Sequence, residues 1–327
     1  MATAFTTGDF IATTTSGNEA APFVPELWSD EVIAPYKANL VLARLVTQMS
    51  HNKKKGDTVN IPVPGRGVAN AKAQESVVTP NVASNSSIAI TIDRHFEYSV
   101  LIEDFAELQA LASLRKFITD DAGYALATRI DWDLHLLARS VPSGTPAPGG
   151  NVAGAEYGDA VIGSNGSTTW DPTASGNAGN APSLSDAGIR RLIRTLDDAN
   201  VPNLDRAFVV PPSEKEVLLG ISRFTEQAFT GEAGNANSIR SGLIGDLYMN
   251  PVYVSTNCPY VLDTAASNDQ RAALYMHKNA FVFVEQMSVR AQAQYKQEFL
   301  ATLLTWDTVY GKKEVRAGSI VPFIVPS

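Results

Sequence analysis

Apolar residues occupy every second position from residue 88 to residue 102, and this alternation is the feature that most restricts how the chain can fold. Only Arg94 interrupts the series, which consists of Ile88, Ile90, Ile92, Phe96, Tyr98, Val100 and Ile102. A period of two predicts one long β-strand with a single apolar face. Upstream, apolar residues alternate with polar residues or proline until Gly65, which predicts an edge strand through Val59, Ile61 and Val63.

The two predicted strands pair as an extended hairpin. An isolated two-stranded hairpin is marginally stable in water, so its apolar face needs another surface. We therefore expect the hairpin, from Asp57 to Ile102, to lie across a neighbouring subunit. Permanent contacts of this kind bury more than roughly 2,000 Å² per subunit pair. This is the first indication that the chain assembles.

A long helix is predicted after the hairpin, because apolar residues recur there with helical spacing. One stripe holds Phe105, Leu108 and Leu111, and a second stripe holds Ile118, Ala122, Leu126, Ile130, Leu134 and Leu137. If roughly 25 residues of the second part are continuous, the rod is about 38 Å long. Pro142 is expected to stop it. Such a rod would serve as a structural spine.

The acidic pairs on this helix, Asp120–Asp121 and Asp131–Asp133, could suggest acid–base chemistry. Adjacent and i,i+2 side chains diverge on a helix, so a solvated face or intersubunit salt bridges are the better interpretation. The following residues, 142–184, are rich in Gly, Ser, Thr, Asn and Pro, which is typical of a flexible linker.

A compact α+β unit is predicted from residue 185 onward. It begins with an amphipathic helix that Ser185 caps and Asn200 and Pro202 close, with apolar positions Ile189, Leu192, Ile193 and Leu196. The segment "RAFVVPP" predicts a buried strand, and Ser213 with Glu216 suggests a capping box that opens the next helix.

Strands dominate the prediction for the rest of the chain. In "GLIGDLYMNPVYVSTNCP", two short apolar runs predict a hairpin that turns at Asn250–Pro251, with pairing between Leu243, Ile244, Leu247 and Val252, Tyr253, Val254. The C-terminal strands are expected to turn at Gly311 and again near Gly318.

The composition disfavours several function classes. The formal net charge of -8 offers no basic face for sequence-specific DNA reading or for an anionic membrane. The single cysteine, Cys258, excludes an intrachain disulfide framework and fits a reducing compartment. No apolar run reaches the length of a membrane span, and the Thr-rich start lacks the pattern of a signal peptide. We expect synthesis in the cytosol.

No catalytic, cofactor-binding or metal residue is predicted. The four histidines, at positions 51, 95, 135 and 277, are scattered without metal-ligand spacing. "PGRGVAN" lacks the third glycine of a dinucleotide fingerprint, and "YGKKEV" lacks the rest of a phosphate loop, so Lys312 and Lys313 are expected to decorate a hairpin. The basic run Lys53–Lys55 is expected to be solvated, or to contact an acidic neighbouring subunit.

The order of these parts resembles the major capsid proteins of tailed double-stranded DNA bacteriophages, the Hong Kong 97 fold superfamily. The extended loop is matched by "GDTVNIPVPG" and "IAITIDRHFEYSVLIEDFAELQA", and the spine helix by "AGYALATRIDWDLHLLA". Further matches are "TLDDANVPNLDRAFVVPPSEKEVLL", "IGDLYMNPVYVSTNCP" and "VYGKKEVRAGSIVPFIV". The segment 142–184 departs from the family, since it is longer and richer in Gly than the resemblance implies.

The resemblance implies an α+β, Hong Kong 97-like fold in five parts. These are an N-terminal arm with short helices (1–50), an extended loop (51–102), a peripheral domain with the spine helix and a Gly-rich loop (103–184), an axial domain (185–275), and C-terminal strands that return to the peripheral and axial domains (276–327).

The function implied is that of a major capsid protein forming the icosahedral shell around viral double-stranded DNA. The implied partners are copies of the chain in hexamers and pentamers, a portal protein, a decoration or cement protein, and packaged DNA held by weak non-specific contact, with no membrane. A separate scaffolding protein is expected, because the arm is too short and polar to be a fused scaffold. Two alternatives stay open: an encapsulin-like shell that encloses cargo enzymes, and a soluble cytosolic enzyme.

Overall fold

The computed structural model describes residues 40–51, 56–65, 67, 69–78, 85–104, 114–138, 151–153, 159–174, 180–221, 246–262 and 270–327. Several sequence-based expectations lie outside these residues. They concern the arm up to residue 39, the basic run Lys53–Lys55, the first helical stripe at 105–113, the stop at Pro142, and the apolar residues Leu243 and Ile244.

One sheet joins distant parts of the sequence. Its four strands run in the order β1 (Thr47–Ser50), β12 (Phe281–Lys296), β13 (Ala301–Glu314) and β4 (Arg94–Glu103). β1 lies parallel to β12, and the other two pairings are antiparallel. The alternation from Phe96 to Ile102 points one face of β4 at the long helix, because successive side chains alternate across a strand.

The predicted hairpin is present, but its second strand is shorter than expected. β2 (Thr58–Val63) pairs antiparallel with β3 (Ser86–Thr91), which sets Val59 opposite Ile90 and Ile61 opposite Ile88. The predicted single strand from residue 88 to residue 102 is wrong. It breaks at residues 92–93, and β4 begins at Arg94, the position that interrupts the apolar series, in a different sheet.

The apolar face of the hairpin packs on its own chain. Ile90 is fully buried in a cluster with Val282 and Val284 of β12. Phe96 packs near Tyr310, with the ring centroids 6.0 Å apart. β12 thus covers part of the apolar face, while Val59, Ile61 and Ile88 are only partly buried. That the hairpin lies across a neighbouring subunit stays a prediction.

The predicted long helix is confirmed. Counting only described helices, α1 is the short turn Leu42–Leu45 and α2 spans the 24 residues Leu114–Leu137. One stripe of α2, with Ala122 and Leu126, packs on the first sheet at Leu304 and Trp306. The last turns of α2 are buried on all sides, from Asp131 to Leu136.

The second sheet is built around β11 (Gln270–His277). The strands that join it, in sequence order, are β5 (Asn151–Ala153), β6 (Val161–Ile162), β7 (Arg206–Val210), β8 (Asp246–Leu247), β9 (Asn250–Val254), β10 (Tyr260–Leu262) and β14 (Ile320–Pro326). β14 pairs antiparallel along β11, whereas β7 pairs parallel with β9. The final strands of the chain thus divide between the two sheets.

Two helices pack on this second sheet. α3 (Asp186–Asp198) buries its predicted apolar face, and Gly188 N–H donates to the Ser185 hydroxyl at 3.1 Å, which confirms the cap. A side chain at Gly188 would collide with the carbonyl oxygen of Gly163, so glycine is required at this close approach. α4 (Pro212–Gly220) begins at Pro212, and the Ser213 hydroxyl donates to the Pro326 carbonyl, so the predicted capping box is wrong.

The segment predicted as a flexible linker contributes to the core. Ile162 and Trp170 are buried beside Trp132 and Leu136 of α2. The apolar residues of this segment are too few among Gly, Ser and Thr to show periodicity, but Ile162 and Trp170 both pack against the C-terminal end of α2. The linker prediction is wrong for the described residues 159–174.

The predicted turns are only partly right. Gly311 lies inside β13, where a Cβ atom would be 2.6 Å from the Thr91 carbonyl oxygen, so glycine allows the crossing of β3 rather than a turn. The turn near Gly318 is confirmed as a 3-10 turn. The hairpin of β8 and β9 is also confirmed, but it turns at Tyr248–Met249, and Asn250 is already in β9.

Candidate functional site

The side chains that could carry chemistry lie mainly at the C-terminal end of α2. Among the described residues, no group of His, Cys, Asp or Glu side chains has an arrangement that could hold a metal ion. None of the described helices is long and apolar enough to cross a membrane. The polar cluster at the helix end, which we call the buried junction, consists of Arg129, Asp131, Asp133, His135, Asn257, Tyr310 and Lys312.

Asp131 forms one half of the buried junction. Its Oδ1 accepts the backbone N–H groups of Val41 at 3.2 Å and Leu42 at 2.8 Å. Its Oδ2 accepts the side-chain N–H of Asn257 at 3.0 Å and lies 3.7 Å from Nε2 of His135. One carboxylate thus connects α2 to the segment before β1 and to the loop after β9.

His135 is held neutral at this position. Burial lowers the pKa of His135 to about 4, and the nearby charge of Asp131 opposes that shift only in part. The Ser255 hydroxyl lies 3.4 Å from Nε2 of His135. A neutral imidazole in a closed, fully buried site has no route to a substrate, so a structural role is the better interpretation.

Asp133 forms the other half. Its carboxylate accepts the Tyr310 hydroxyl at 2.9 Å, and it lies 3.4 Å from the guanidinium of Arg129 and 3.7 Å from Nζ of Lys312. Lys312 Nζ also donates to the Asp133 backbone carbonyl at 2.5 Å. Burial lowers the pKa of Lys312 to about 8, although the Asp133 charge opposes the shift. Burial also raises the pKa of Tyr310.

The buried junction corrects two expectations. Asp131 and Asp133 do diverge on the helix, but both are fully buried and bonded within the chain rather than solvated or paired with another subunit. Lys312 is inside the fold and does not decorate a hairpin. A signal for this was present in "RIDWDLHLLA", where apolar residues surround the helix on every side and leave the charged residues no solvent face.

The remaining histidines and the cysteine have no shared site. His95 lies 3.2 Å from Asp307, which also receives a bidentate interaction from Arg290, and His277 accepts the N–H of Asn279. Cys258 is buried, and burial raises its pKa to about 12, so it is not a nucleophile at neutral pH.

Glu214 is another buried acid. One carboxylate oxygen accepts the Leu184 N–H at 2.8 Å, while the other has no partner among the described residues. Burial raises the pKa of Glu214 to about 7. Glu214 therefore fixes Leu184, in the segment that leads into α3, against α4. Sequence reasoning missed this residue because Glu216, not Glu214, fits a capping box.

Apolar side chains are concentrated at exposed turns. Val77 and Met249 are each 91% exposed, and Phe299 and Leu300 end the β12–β13 ribbon with more than half of each side chain in solvent. Tyr248, Met249 and Leu300 have positive φ, which disfavours residues other than glycine by roughly 1 kcal/mol each.

A groove also opens between β4 and α2. Its volume is about 440 Å³, and its walls include Phe96, Tyr98, Tyr124 and Leu126. The Arg129 guanidinium lies over the Phe96 ring at 4.5 Å, next to the buried junction. None of the described residues in its walls is a serine, a cysteine or a histidine.

Solved structures of phage particles match the chain over nearly its whole length. A structure from Mycobacterium phage Che8 has a TM-score of 0.66 at 23% identity, covering 92% of this chain and 97% of that chain. The capsid of cyanophage P-SCSP1u has a TM-score of 0.71 at 15% identity and covers 100% of both chains. The capsid of Ralstonia phage GP4 has a TM-score of 0.69 at 14% identity, covering 100% and 98%.

At these identities the likeness establishes the fold. The chain shares the mixed α+β fold of these phage structures. No family model matches the sequence, and no curated protein matches it either.

Proposed function

We propose that this chain is a major capsid protein that assembles with copies of itself into an icosahedral shell around a viral double-stranded DNA genome. The observation that carries the proposal is the match to the capsid of cyanophage P-SCSP1u, which covers 100% of both chains. The exposed apolar turns support it, since an assembly subunit must offer surfaces that its own fold leaves uncovered.

The polar clusters are also more typical of a structural protein than of an enzyme. The buried junction pairs its charged groups inside the fold, and the described walls of the groove beside it hold no serine, cysteine or histidine. The matched structures are capsids of phages and of a GTA particle, and they lend no support to the encapsulin or enzyme alternatives.

The five-part division stays part of this proposal. We assign the α2 region and the first sheet to the peripheral domain, and the second sheet with α3 and α4 to the axial domain. β12 and β13 return to the former and β14 to the latter. We further propose a separate scaffolding protein, a portal protein and a decoration or cement protein as partners, with synthesis in the host cytoplasm and final location in the virion.

The shell is proposed to hold DNA without binding it tightly. The net charge is -8, and two of the three arginines on the exposed face of α3 are neutralised locally. Arg190 lies 3.0 Å from Asp186, and Arg194 lies 3.3 Å from Asp198. Tight phosphate binding needs many free cations and weakens steeply with salt. Submicromolar DNA binding by dissociated subunits at physiological salt would contradict this part of the proposal.

Electron microscopy of the purified, concentrated chain tests the main proposal. The chain is expressed alone and together with the scaffolding protein from the same genome. Closed shells should form only, or far more efficiently, when the two proteins are expressed together. A soluble monomer or dimer under both conditions would contradict the capsid function. If shells form in quantity from this chain alone, the capsid function stands and the proposal of a separate scaffolding protein fails.

A further inference from the structure

One side of β12 has no strand partner among the described residues once its short pairing with β1 ends. β1 pairs with β12 only from Val282 to Glu285, and within the described residues no other strand pairs on that side. Beyond Glu285, β12 pairs with β13 alone as far as Lys296. Among the described residues, the backbone N–H and C=O groups on that side from Ser288 to Lys296 have no ladder partner, and such an edge is a template for another strand.

The exposed part of β12 carries little that would prevent pairing. Every residue from Ser288 to Tyr295 is exposed, and none is proline. Two register irregularities lie between Glu285 and Arg290, and from Arg290 to Lys296 the pairing with β13 is regular. Bulges at a strand's start can protect an edge, but the seven regular residues that follow have no such protection.

The charge in this stretch is already balanced. Arg290 donates to Asp307 through Nε at 3.0 Å and Nη2 at 2.7 Å. The rest of the run, Ala291 to Tyr295, is uncharged and alternates small apolar residues with glutamine. A partner strand therefore needs no cluster of acidic residues.

We propose that this edge pairs with the same edge of a second copy of the chain, antiparallel about a two-fold axis at Gln292. The inference rests on the proposed function, since it assigns one contact between shell subunits. With the axis perpendicular to the sheet, equivalent faces of the two copies point to the same side. Even-numbered residues therefore pair with even-numbered residues, and odd-numbered residues with odd-numbered residues. Gln292 then faces its own copy, Ala291 faces Ala293, and Arg290 faces Gln294.

The sequence favours this register over its neighbours. An axis at Ala293 would set Arg290 opposite Lys296, and an axis at Arg290 would set that residue opposite itself. Like charges directly opposite each other destabilise a sheet. An axis at Ala291 would pair only Arg290 to Gln292 within the regular residues, whereas the axis at Gln292 pairs the five residues from Arg290 to Gln294. Among the axes from Arg290 to Ala293, the axis at Gln292 keeps like charges apart and pairs the most regular residues.

A cysteine at the axis tests the contact in the assembled full chain. Gln292→Cys should give a covalent dimer under mild oxidation, because the two copies of position 292 are adjacent, and about tenfold less should form with Gln297→Cys. Gln297 is the matched control, since it is exposed in the turn after β12 and outside the paired register. The unsubstituted chain gives the background from Cys258, which is buried.

A charge at the axis provides a second test that needs no crosslink. Gln292→Lys sets two ammonium groups opposite each other and should raise the concentration needed for assembly by about tenfold. Gln297→Lys adds the same charge without opposing it and should assemble like the unsubstituted chain.

The outcomes separate this inference from the proposed function. If closed shells form but Gln292→Cys gives no dimer and Gln292→Lys assembles normally, the edge contact is wrong and the capsid function stands. Crosslinking of the Gln292→Cys variant to a different protein, rather than to a second copy, also overturns the inference. If no shells form although Gln292→Cys dimerises, the edge contact holds and the capsid function fails.

Discussion

Asp131 accepts the backbone N–H of Leu42 at 2.8 Å, although the two residues are 89 positions apart in the sequence. The bond ties the buried end of α2 to the segment that leads into β1, and β1 is an edge strand of the first sheet. Val41 and Asn257 also donate to the same carboxylate, so Asp131 fixes this segment and the loop after β9 to the end of α2.

Replacing Asp131 should loosen the segment before β1. Asp131→Ala leaves the N–H groups of Val41 and Leu42 and the amide of Asn257 buried without an acceptor, and we expect a loss of about 3 kcal/mol in unfolding free energy. Hydrogen exchange at residues 41–46 should accelerate more than at β11. Asp198→Ala is the control, because that exposed ion pair should contribute less than about 0.5 kcal/mol. Equal effects of the two substitutions would refute the role of Asp131.

Asp133 and Lys312 should show strong energetic coupling. Asp133→Asn keeps an acceptor for Tyr310 but leaves Lys312 and Arg129 in the fold without a counter-charge, so we expect a loss of about 3 kcal/mol. Adding Lys312→Met should recover about 1–2 kcal/mol, because the double variant no longer buries that ammonium group. A double-mutant cycle by urea unfolding measures the coupling, and purely additive losses would contradict it.

Two glycines should respond to alanine with opposite signs. Gly311→Ala places a methyl group against the Thr91 carbonyl oxygen, where the backbone must move, and should cost about 2 kcal/mol or more. Gly123→Ala lies inside α2 with no atom near the added methyl group, and should stabilise by about 0.5–1 kcal/mol. Thermal unfolding of both variants compares them directly. A stabilising Gly311→Ala would mean that β3 and β13 do not cross so closely.

Glu214 should make stability depend on pH between about 4.5 and 7. Its folded pKa of about 7 lies above the ordinary value of 4.5, so its stabilisation is present at low pH and is lost as the pH rises. Glu214→Gln removes that loss, and we expect it to be more stable than the unsubstituted chain by about 2–3 kcal/mol at pH 8 and similar to it at pH 5.

The control for this prediction is Glu216→Gln, on the exposed side of the same helix. It should shift stability equally at both pH values. The opposite pH contribution of neutral His135 is common to all three proteins and cancels in the difference. A pH-independent effect of Glu214→Gln would show that Glu214 titrates normally in the folded chain.

Local patterns predicted the local elements. The helical spacing of Ile118, Ala122, Leu126 and Ile130 identified α2, and Ser185 identified the start of α3, because both signals lie within a few residues. The two-residue period also identified the hairpin strands. It failed at residues 92–93, where the alternation continues in sequence while the chain changes sheets, and only the interruption at Arg94 marks the change.

The buried junction could not be predicted in the same way. Asp133 is paired with Lys312, 179 positions away, and no periodicity connects them. A charged residue on a helix is usually solvated, and that expectation fails only because strands from the far end of the sequence cover the helix end. Trp170 was missed for a similar reason, since a single tryptophan in a Gly-rich segment does not show which surface it meets.

The pairing of β1 with β12 and of β4 with β13 has a consequence for synthesis. Translation proceeds from the N-terminus, so β1 and β4 leave the ribosome long before their partners exist. At roughly 5–20 residues per second, the interval is on the order of ten seconds or more. During that time, Val100 and Ile102 have no β13 beside them. A nascent chain therefore depends on chaperones for longer than a protein with local strand pairing, and a chain that stops before β12 can complete neither sheet.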